Sequence, residues 1–223
     1  MSQPPTPAQA WSALVEGNGR FVRGEMAHPS QDVDRRAEVS ESQSPFAVIF
    51  GCSDSRAAAE IIFDRGLGDL FVVRTAGHVV DTTVVGSIEY GVGVLGAPLV
   101  LVLGHDSCGA VAATAAAFTT GVMPSGFVRA IVDRVIPSII GMQGEATRDG
   151  RALIVEHDQL GREHVRHTVE MLLAYSSLLR DAVQAGRCAV IGAEYTLAAG
   201  LAHKIVVMGD IGQDAPLRDV TVG

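Results

Sequence analysis

The chain has 223 residues and a formal net charge of −8, from 17 Lys and Arg against 25 Asp and Glu. This acidic balance, without a cluster of basic residues, argues against a nucleic-acid partner, and no stretch has the roughly 20 apolar residues that a membrane span needs. Residues 1–25 lack the apolar core of a signal peptide, and the three cysteines are an odd number, which favours metal or catalytic use over a disulfide framework. We therefore expect a cytoplasmic protein.

Strand and helix patterns alternate along the chain. Helices are predicted at 8–21, 57–63, 82–94, 108–118, 127–142 with an interruption near Pro137, and 161–185. Buried strands are predicted at 46–50, 70–73, 99–103 and 189–192, followed by a strand at 204–208 whose pairing stays open. This order is typical of an α/β fold with a central, largely parallel β-sheet flanked by helices. We expect a single domain over 1–223, with an N-terminal helical arm at 1–40.

Two cysteines and a histidine follow the two clearest strands. Cys52 comes directly after the first strand, and His105 and Cys108 come after the strand at 99–103. Ligands of an open parallel sheet bind beyond the carboxyl ends of its strands, so all three side chains are expected at one edge. Two thiolates and an imidazole form a known catalytic zinc set. Alternatively, His105 and Cys108 only pack in a helix-capping loop, but the position of Cys52 favours the metal.

A carboxylate and a guanidinium alternate with the first thiol. In an extended segment, Cys52, Asp54 and Arg56 share one side. Asp54 could serve as a fourth metal ligand, or it could pair with Arg56 through a bidentate contact and leave a metal position open to water. A plain structural ion pair is the third alternative. It is disfavoured because the pair lies two residues from a thiol at a strand end.

The segments Cys-Ser-Asp-Ser-Arg at 52–56 and Gly-His-Asp-Ser-Cys-Gly at 104–109 resemble the β-class carbonic anhydrases, in their plant-like bacterial branch. The resemblance implies that Cys52, His105 and Cys108 bind Zn²⁺ and that Asp54 either ligates the metal or pairs with Arg56. It also implies a set of substrate-binding residues around carbon dioxide: Gln43, Phe71, Tyr90 and the backbone of Gly109.

The sequence departs from this family at 74–78, where a frequent Arg-Asn-Ala-Gly-Asn is replaced by Arg-Thr-Ala-Gly-His. The local hydrogen bonding there is left open. The residue that carries the proton away is also open, with His78, His157, His164 and His167 as possibilities. We expect His164 and His167, three residues apart, to lie on a solvated helix face.

The resemblance implies a zinc enzyme, carbonate dehydratase, that hydrates carbon dioxide to bicarbonate and a proton through a zinc-bound hydroxide. It also implies a homodimer or homotetramer, with the helix around Trp11 packing on the partner and Tyr90 reaching the partner's pocket. Two alternatives stay open. One is a hydrolase of carbon disulfide or carbonyl sulfide on the same scaffold, and the other is a noncatalytic zinc module closed by Asp54.

Overall fold

The computed structural model describes residues 4–148, 150 and 155–212. In these ranges one five-stranded sheet has the strand order β2-β1-β3-β4-β5. The strands are β1 (Ala47–Cys52), β2 (Leu70–Thr75), β3 (Leu99–His105), β4 (Ala189–Thr196) and β5 (Leu201–Met208). The helices are α1 (Pro7–Arg23), α2 (Val33–Glu38), α3 (Ala59–Ile62), α4 (Thr82–Gly93), α5 (Gly109–Thr120), α6 (Val128–Arg148), α7 (His157–Tyr175) and α8 (Ser177–Gln184), with a 3₁₀ turn at Ala76–His78.

The sheet confirms the predicted fold class. Strands β1 to β4 pair in parallel, and β5 pairs antiparallel with β4, which fixes the partner that the sequence left open. Every residue of β1 and β3 is buried. Such continuous apolar burial is expected where helices cover both faces of a parallel sheet, and it explains why these two strands gave the clearest sequence signals.

Helices cover the sheet on both faces. On one face, Ile49 and Leu101 pack in a core that includes Trp11 from α1, and on the other face Val48 packs in a core with Ile88 from α4. Each fully buried Ile or Leu contributes roughly 1.5–3 kcal/mol of transfer free energy. Because Trp11 is only 7% exposed in the single chain, the N-terminal arm packs on its own domain. Its contact with a partner stays a prediction.

Two helix boundaries differ from the sequence prediction. Helix α6 continues through Pro137 because the neighbouring Val135 and Ile139 are buried, and this packing offsets the hydrogen bond that proline removes. The helix predicted at 161–185 is broken at Ser176. The hydroxyl of this residue accepts from the N–H of Leu179 at 3.0 Å, capping α8, and donates to Glu89 at 2.6 Å.

The topology brings the ends of two neighbouring strands together. Strand β1 ends at Cys52 and its parallel neighbour β3 ends at His105, so both residues emerge at one edge of the sheet. The turn at Ala76–His78 leaves β2 at the same edge, because Cys52 pairs with Thr75. Within the described ranges, no helix has the length and apolar character needed to cross a bilayer.

Candidate metal centre

Three buried side chains converge at this edge. A donor atom from each of Cys52, His105 and Cys108 lies within 4.8 Å of the other two. Their exposed fractions are 6%, 4% and 2%. Around the two sulfur atoms, Val111, Ile139, Met142 and Leu160 form a small apolar cluster. The sequence prediction that these three residues share one site is therefore matched by their geometry.

The loop between His105 and Cys108 is held by contacts with β4. The N–H of Asp106 donates to the carbonyl of Tyr195 at 3.2 Å, and the Asp106 carboxylate accepts from the N–H of Leu197 at 2.9 Å. Ser107 then takes a positive φ of 52°. This tight turn brings Cys108 back to the sheet edge, and α5 begins at the next residue.

The imidazole of His105 has one nitrogen bonded and one nitrogen free. Its Nδ1–H donates to the carbonyl of Asp106 at 2.7 Å, because a carbonyl can only accept. The buried Nε2 has no hydrogen-bond partner among the described residues. Fixing the proton on Nδ1 leaves the Nε2 lone pair for a metal ion, which is the usual arrangement of a metal-binding histidine.

The sulfur of Cys52 lies among hydrogen-bond donors. It accepts from the N–H of Gly77 at 3.2 Å and from the N–H of Asp54 at 3.4 Å. The pKa of Cys52 is lowered to about 4, first because the Cys108 thiol donates to its sulfur and then through His105 and these two N–H groups, although burial acts in the opposite direction. The same thiol pairing raises the pKa of Cys108. One of the two sulfur atoms is therefore readily ionised, and a thiolate is the form that binds metals.

The donor set fits zinc. Tetrahedral zinc with Zn–S bonds near 2.3 Å holds two sulfur atoms about 3.8 Å apart, and the donors here are of comparable spacing, within 4.8 Å. Two thiolates and one imidazole are the chemistry of a catalytic zinc site with one open position. A metal ion would give the buried Nε2 of His105 the partner that the described residues do not supply.

Asp54 lies beside the donors but is held by Arg56. The guanidinium donates from Nε to Oδ1 at 2.9 Å and from Nη2 to Oδ2 at 2.7 Å, a bidentate pair. These bonds hold the pKa of Asp54 well below its usual range. The Oδ2 atom is 3.9 Å from Nε2 of His105, while the compact donor group contains only the two cysteines and the histidine. A fourth-ligand role for Asp54 stays a prediction.

Arg74 is a residue whose role at this site was not predicted. Its guanidinium donates to the carbonyl of Cys52 at 2.9 Å and to the carbonyl of Asp54 at 2.6 Å. It thus fixes the backbone that carries both side chains. A charged residue near the end of a strand, next to a thiol-bearing strand end, was the available sequence signal.

The predicted substrate residues do not lie together. Gln43 and Tyr90 line an open cavity of about 600 Å³, and the ring of Phe71 is 6.1 Å from that of Tyr90. Gly109 instead begins α5 at the metal edge. The proposed substrate set is therefore divided between two places in the chain.

The strand register gives the distance between these places. Phe71 pairs with Val48, whereas Cys52 pairs with Thr75 at the other end of the same ladder. Four residues of a parallel strand span about 13 Å. Phe71 is therefore far from the Cys52 thiol of its own chain.

The histidines differ from the sequence prediction. His164 is fully buried, not on a solvated face, and His78 is only 2% exposed. His157 lies closer to solvent, and its ring nitrogen Nε2 is 3.1 Å from the carbonyl of Cys108. Cys188 is 1% exposed, and burial raises its pKa to about 12. The two buried histidines have no direct route to pass a proton to solvent.

Comparisons with known proteins show the family to which the chain is similar. The carbonic anhydrase family model matches residues 47–202. The chain is 52% identical to carbonic anhydrase 2 of Mycobacterium tuberculosis over 208 residues, covering 93% of this chain and 97% of that protein, and 51% identical to a Mycolicibacterium smegmatis carbonic anhydrase over 207 residues, with the same coverage of 93% and 97%. The solved structure of a Coccomyxa β-carbonic anhydrase with acetazolamide has a TM-score of 0.66 and 25% identity, covering 89% and 88% of the two chains.

Proposed function

We propose, from the premise that this chain belongs to the β-class carbonic anhydrase family, that it catalyses the reversible hydration of carbon dioxide to bicarbonate and a proton. The observation that carries the proposal is the compact, buried group of Cys52, His105 and Cys108 beside the Asp54–Arg56 pair. A zinc ion bound there supplies Lewis acidity that lowers the pKa of water to near 7, so a nucleophile is available at neutral pH.

The residues of the site have separate roles in this proposal. Cys52 and Cys108 bind the metal as thiolates, and His105 binds through Nε2 because its other nitrogen is bonded to Asp106. Asp54, anionic at neutral pH, accepts a hydrogen bond from the attacking water and directs the oxygen lone pair at the carbon of the substrate. The new C–O bond forms as one proton leaves toward solvent.

Arg56 keeps Asp54 available for this role. The bidentate contact holds both carboxylate oxygens, and Arg56 also approaches the carbonyl of Ser107 at 3.4 Å. If Asp54 leaves Arg56 and takes the remaining metal position, the site is closed to water. The Asp54–Arg56 contact therefore acts as the gate between an open and a closed site.

The position of the cavity residues is the basis for our proposal about the oligomeric state. Phe71 lies opposite Val48, about 13 Å along the sheet from Cys52 of its own chain. Tyr90, whose ring is 6.1 Å from that of Phe71, is 47% exposed and lines a cavity with Gln43. We place them, in a homodimer or a homotetramer of dimers, against the metal edge of a second copy, where an apolar wall suits uncharged carbon dioxide. The cytoplasmic location stays a prediction.

The test is stopped-flow hydration of carbon dioxide by the holoenzyme from about pH 6.5 to 9, the range in which a catalytic group of this kind titrates, with zinc measured on the same sample. We expect fast hydration with one zinc ion per chain. Carbonyl sulfide and carbon disulfide are assayed in parallel. Zinc-loaded protein that releases sulfide but does not hydrate carbon dioxide would identify a sulfide-substrate hydrolase, and inertness to all three substrates would identify a closed zinc module. Either result overturns the proposal.

A further inference from the structure

A pair of buried histidines lies behind the metal edge. The rings of His78 and His164 are 4.4 Å apart between their centroids, and both residues are enclosed by the protein. His164 comes from α7, and His78 ends the turn that follows β2. The chemistry proposed above uses neither side chain.

His164 connects α6 to this turn. Its Nε2 is 3.0 Å from the carbonyl of Gly77, and its Nδ1 is 3.0 Å from the hydroxyl of Ser138. A carbonyl only accepts, so Nε2 carries the hydrogen and Nδ1 accepts from the Ser138 hydroxyl. Burial lowers the pKa of His164 to about 4, in agreement with this neutral form. The carbonyl of Gly77 therefore fixes which nitrogen of His164 donates, and Ser138 holds the ring through the other nitrogen.

The turn that receives this hydrogen bond has an unfavourable backbone. Gly77 has a φ of 66°, and a Cβ at this position would lie 2.6 Å from the Cβ of Ala110. The following residue, His78, also has a positive φ, of 41°, which is uncommon for a residue other than glycine. Such conformations persist when surrounding contacts hold them. The bond from His164 to the carbonyl of Gly77 is one of these contacts.

This turn places a backbone N–H donor next to the thiol of Cys52, which we propose binds the metal. In this left-handed conformation, which glycine adopts readily, Gly77 directs its N–H at the sulfur of Cys52, 3.2 Å away. An N–H donor withdraws electron density from a thiolate and stabilises its anionic form. Groups that orient and polarise metal ligands in this way control how tightly the metal is held.

We propose that His164, oriented by Ser138, is a positioning residue for the zinc ligand Cys52, acting through the Gly77 turn. The inference rests on the proposed function, because it takes Cys52 to bind zinc. His164 touches neither substrate nor metal in this account. It holds the turn that keeps one N–H on the thiolate.

The experiment measures zinc release from the holoenzyme to an excess of chelator, together with the thiolate-to-metal charge-transfer band of the cobalt-substituted protein. His164→Leu removes the donor to Gly77, and we expect zinc release to become about tenfold faster, in the range seen when such partners are lost. The band is expected to move to lower energy because the sulfur becomes more electron-rich. His164→Gln offers an amide N–H near the position of Nε2, and we expect it to restore both properties.

Two further variants keep the test decisive. Thr168→Val changes a buried residue of the same helix whose hydroxyl has no hydrogen-bond partner in the described part of the chain, and we expect it to leave zinc release and the band unchanged. If His164→Leu does not fold, Ser138→Ala takes its place, with a smaller change in the same direction. Unchanged release and band in His164→Leu, or in Ser138→Ala where it replaces it, overturn the inference while leaving the proposed function intact. A wild-type protein without a thiolate charge-transfer band overturns both.

Discussion

The two ends of the sheet differ in how far their side chains are exposed to solvent. At the metal edge, the donors Cys52, His105 and Cys108 are at most 6% exposed, and backbone groups of the same chain fix each of them. At the other end, Tyr90 is 47% exposed and lines an open cavity with Gln43. The metal donors are thus preorganised within one chain, where precise geometry matters, whereas the residues that we propose for the substrate lie at an open surface, which in our proposal a second copy completes.

The largest effect is expected when a thiol is removed from the metal edge, compared with removal of a buried thiol outside it. Cys108→Ala takes away one of the metal donors, and we expect loss of zinc and a fall of carbon dioxide hydration to the uncatalysed rate. Cys188→Ala, at an equally buried cysteine outside the metal edge, should keep both zinc and activity. Zinc content by atomic absorption and stopped-flow rates check the pair. Zinc retained in Cys108→Ala would place the metal elsewhere.

The proposed role of Asp54 as a proton acceptor at the metal edge is tested next. Asp54→Asn keeps the shape of the side chain but loses its charge, and we expect hydration to fall about 10²-fold because a positioned proton acceptor is lost. Zinc should stay bound, since the three donors are intact. Arg129→Ala, at the exposed Arg129–Asp133 pair of 3.7 Å, is the matched control and should behave as wild type. Full activity in Asp54→Asn would contradict the role given to this carboxylate.

A variant at the open end of the sheet tests the proposed substrate contact of Tyr90. Tyr90→Ala should lower kcat/KM for carbon dioxide about tenfold through lost substrate positioning, with zinc content unchanged. If the wall serves a second copy, subunits carrying Tyr90→Ala mixed with subunits carrying Cys108→Ala regain activity. A mixed dimer then has one site with intact zinc donors and an intact Tyr90 opposite. Rates of the mixture equal to the sum of the two separate proteins would exclude a shared site.

Acid pH is expected to weaken a buried ion pair that contacts none of the metal donors. Asp64, 2% exposed, accepts from Arg20 at 2.6 Å and from the N–H groups of Ala27 and His28, both at 2.9 Å. Burial alone would raise the pKa of Asp64, but these bonds bring it below its ordinary value. Its stabilising contribution is therefore full above the unfolded pKa of about 3.9 and declines as the pH falls toward the lower folded value.

Asp64→Asn should accordingly cost about 2–3 kcal/mol of unfolding free energy near neutral pH and flatten the acid limb of the stability curve. Urea unfolding of the metal-bound protein between neutral and acid pH measures both effects. Zinc binding at neutral pH should be unaffected, because Asp64 bonds Arg20, Ala27 and His28 and none of the donors. An acid limb as steep as that of wild type would assign acid sensitivity to protonation of the metal ligands instead.

The sequence predicted most of the sheet and the three residues whose donor atoms the structure brings together. Strands β1 and β3 are continuous apolar runs, and Cys52 and His105 stand at their ends, so local pattern and topology agree. The prediction was weaker for helices. The break at Ser176 depends on its bond to Glu89, 87 residues away in sequence, and the passage of α6 through Pro137 depends on tertiary packing. Neither contact leaves a periodic signal.

The support of the site was harder to predict than its ligands. The burial of His164 was predicted wrongly because Arg162 and Glu163 beside it are typical of a solvated helix, yet the histidine itself turns inward to Gly77. Arg74 binds the carbonyls of Cys52 and Asp54, and contacts to backbone atoms impose no pairing of residue types. Such positioning groups become visible only when the fold brings distant segments together.

The central claim is that two thiolates and one imidazole of a single chain hold the metal ion. X-ray absorption at the zinc edge of the holoenzyme measures this directly. We expect two sulfur neighbours of the zinc ion near 2.3 Å, from Cys52 and Cys108. The rest of its coordination shell should consist of nitrogen and oxygen atoms near 2.0–2.1 Å. A shell with no sulfur, or with a single sulfur neighbour, would contradict it.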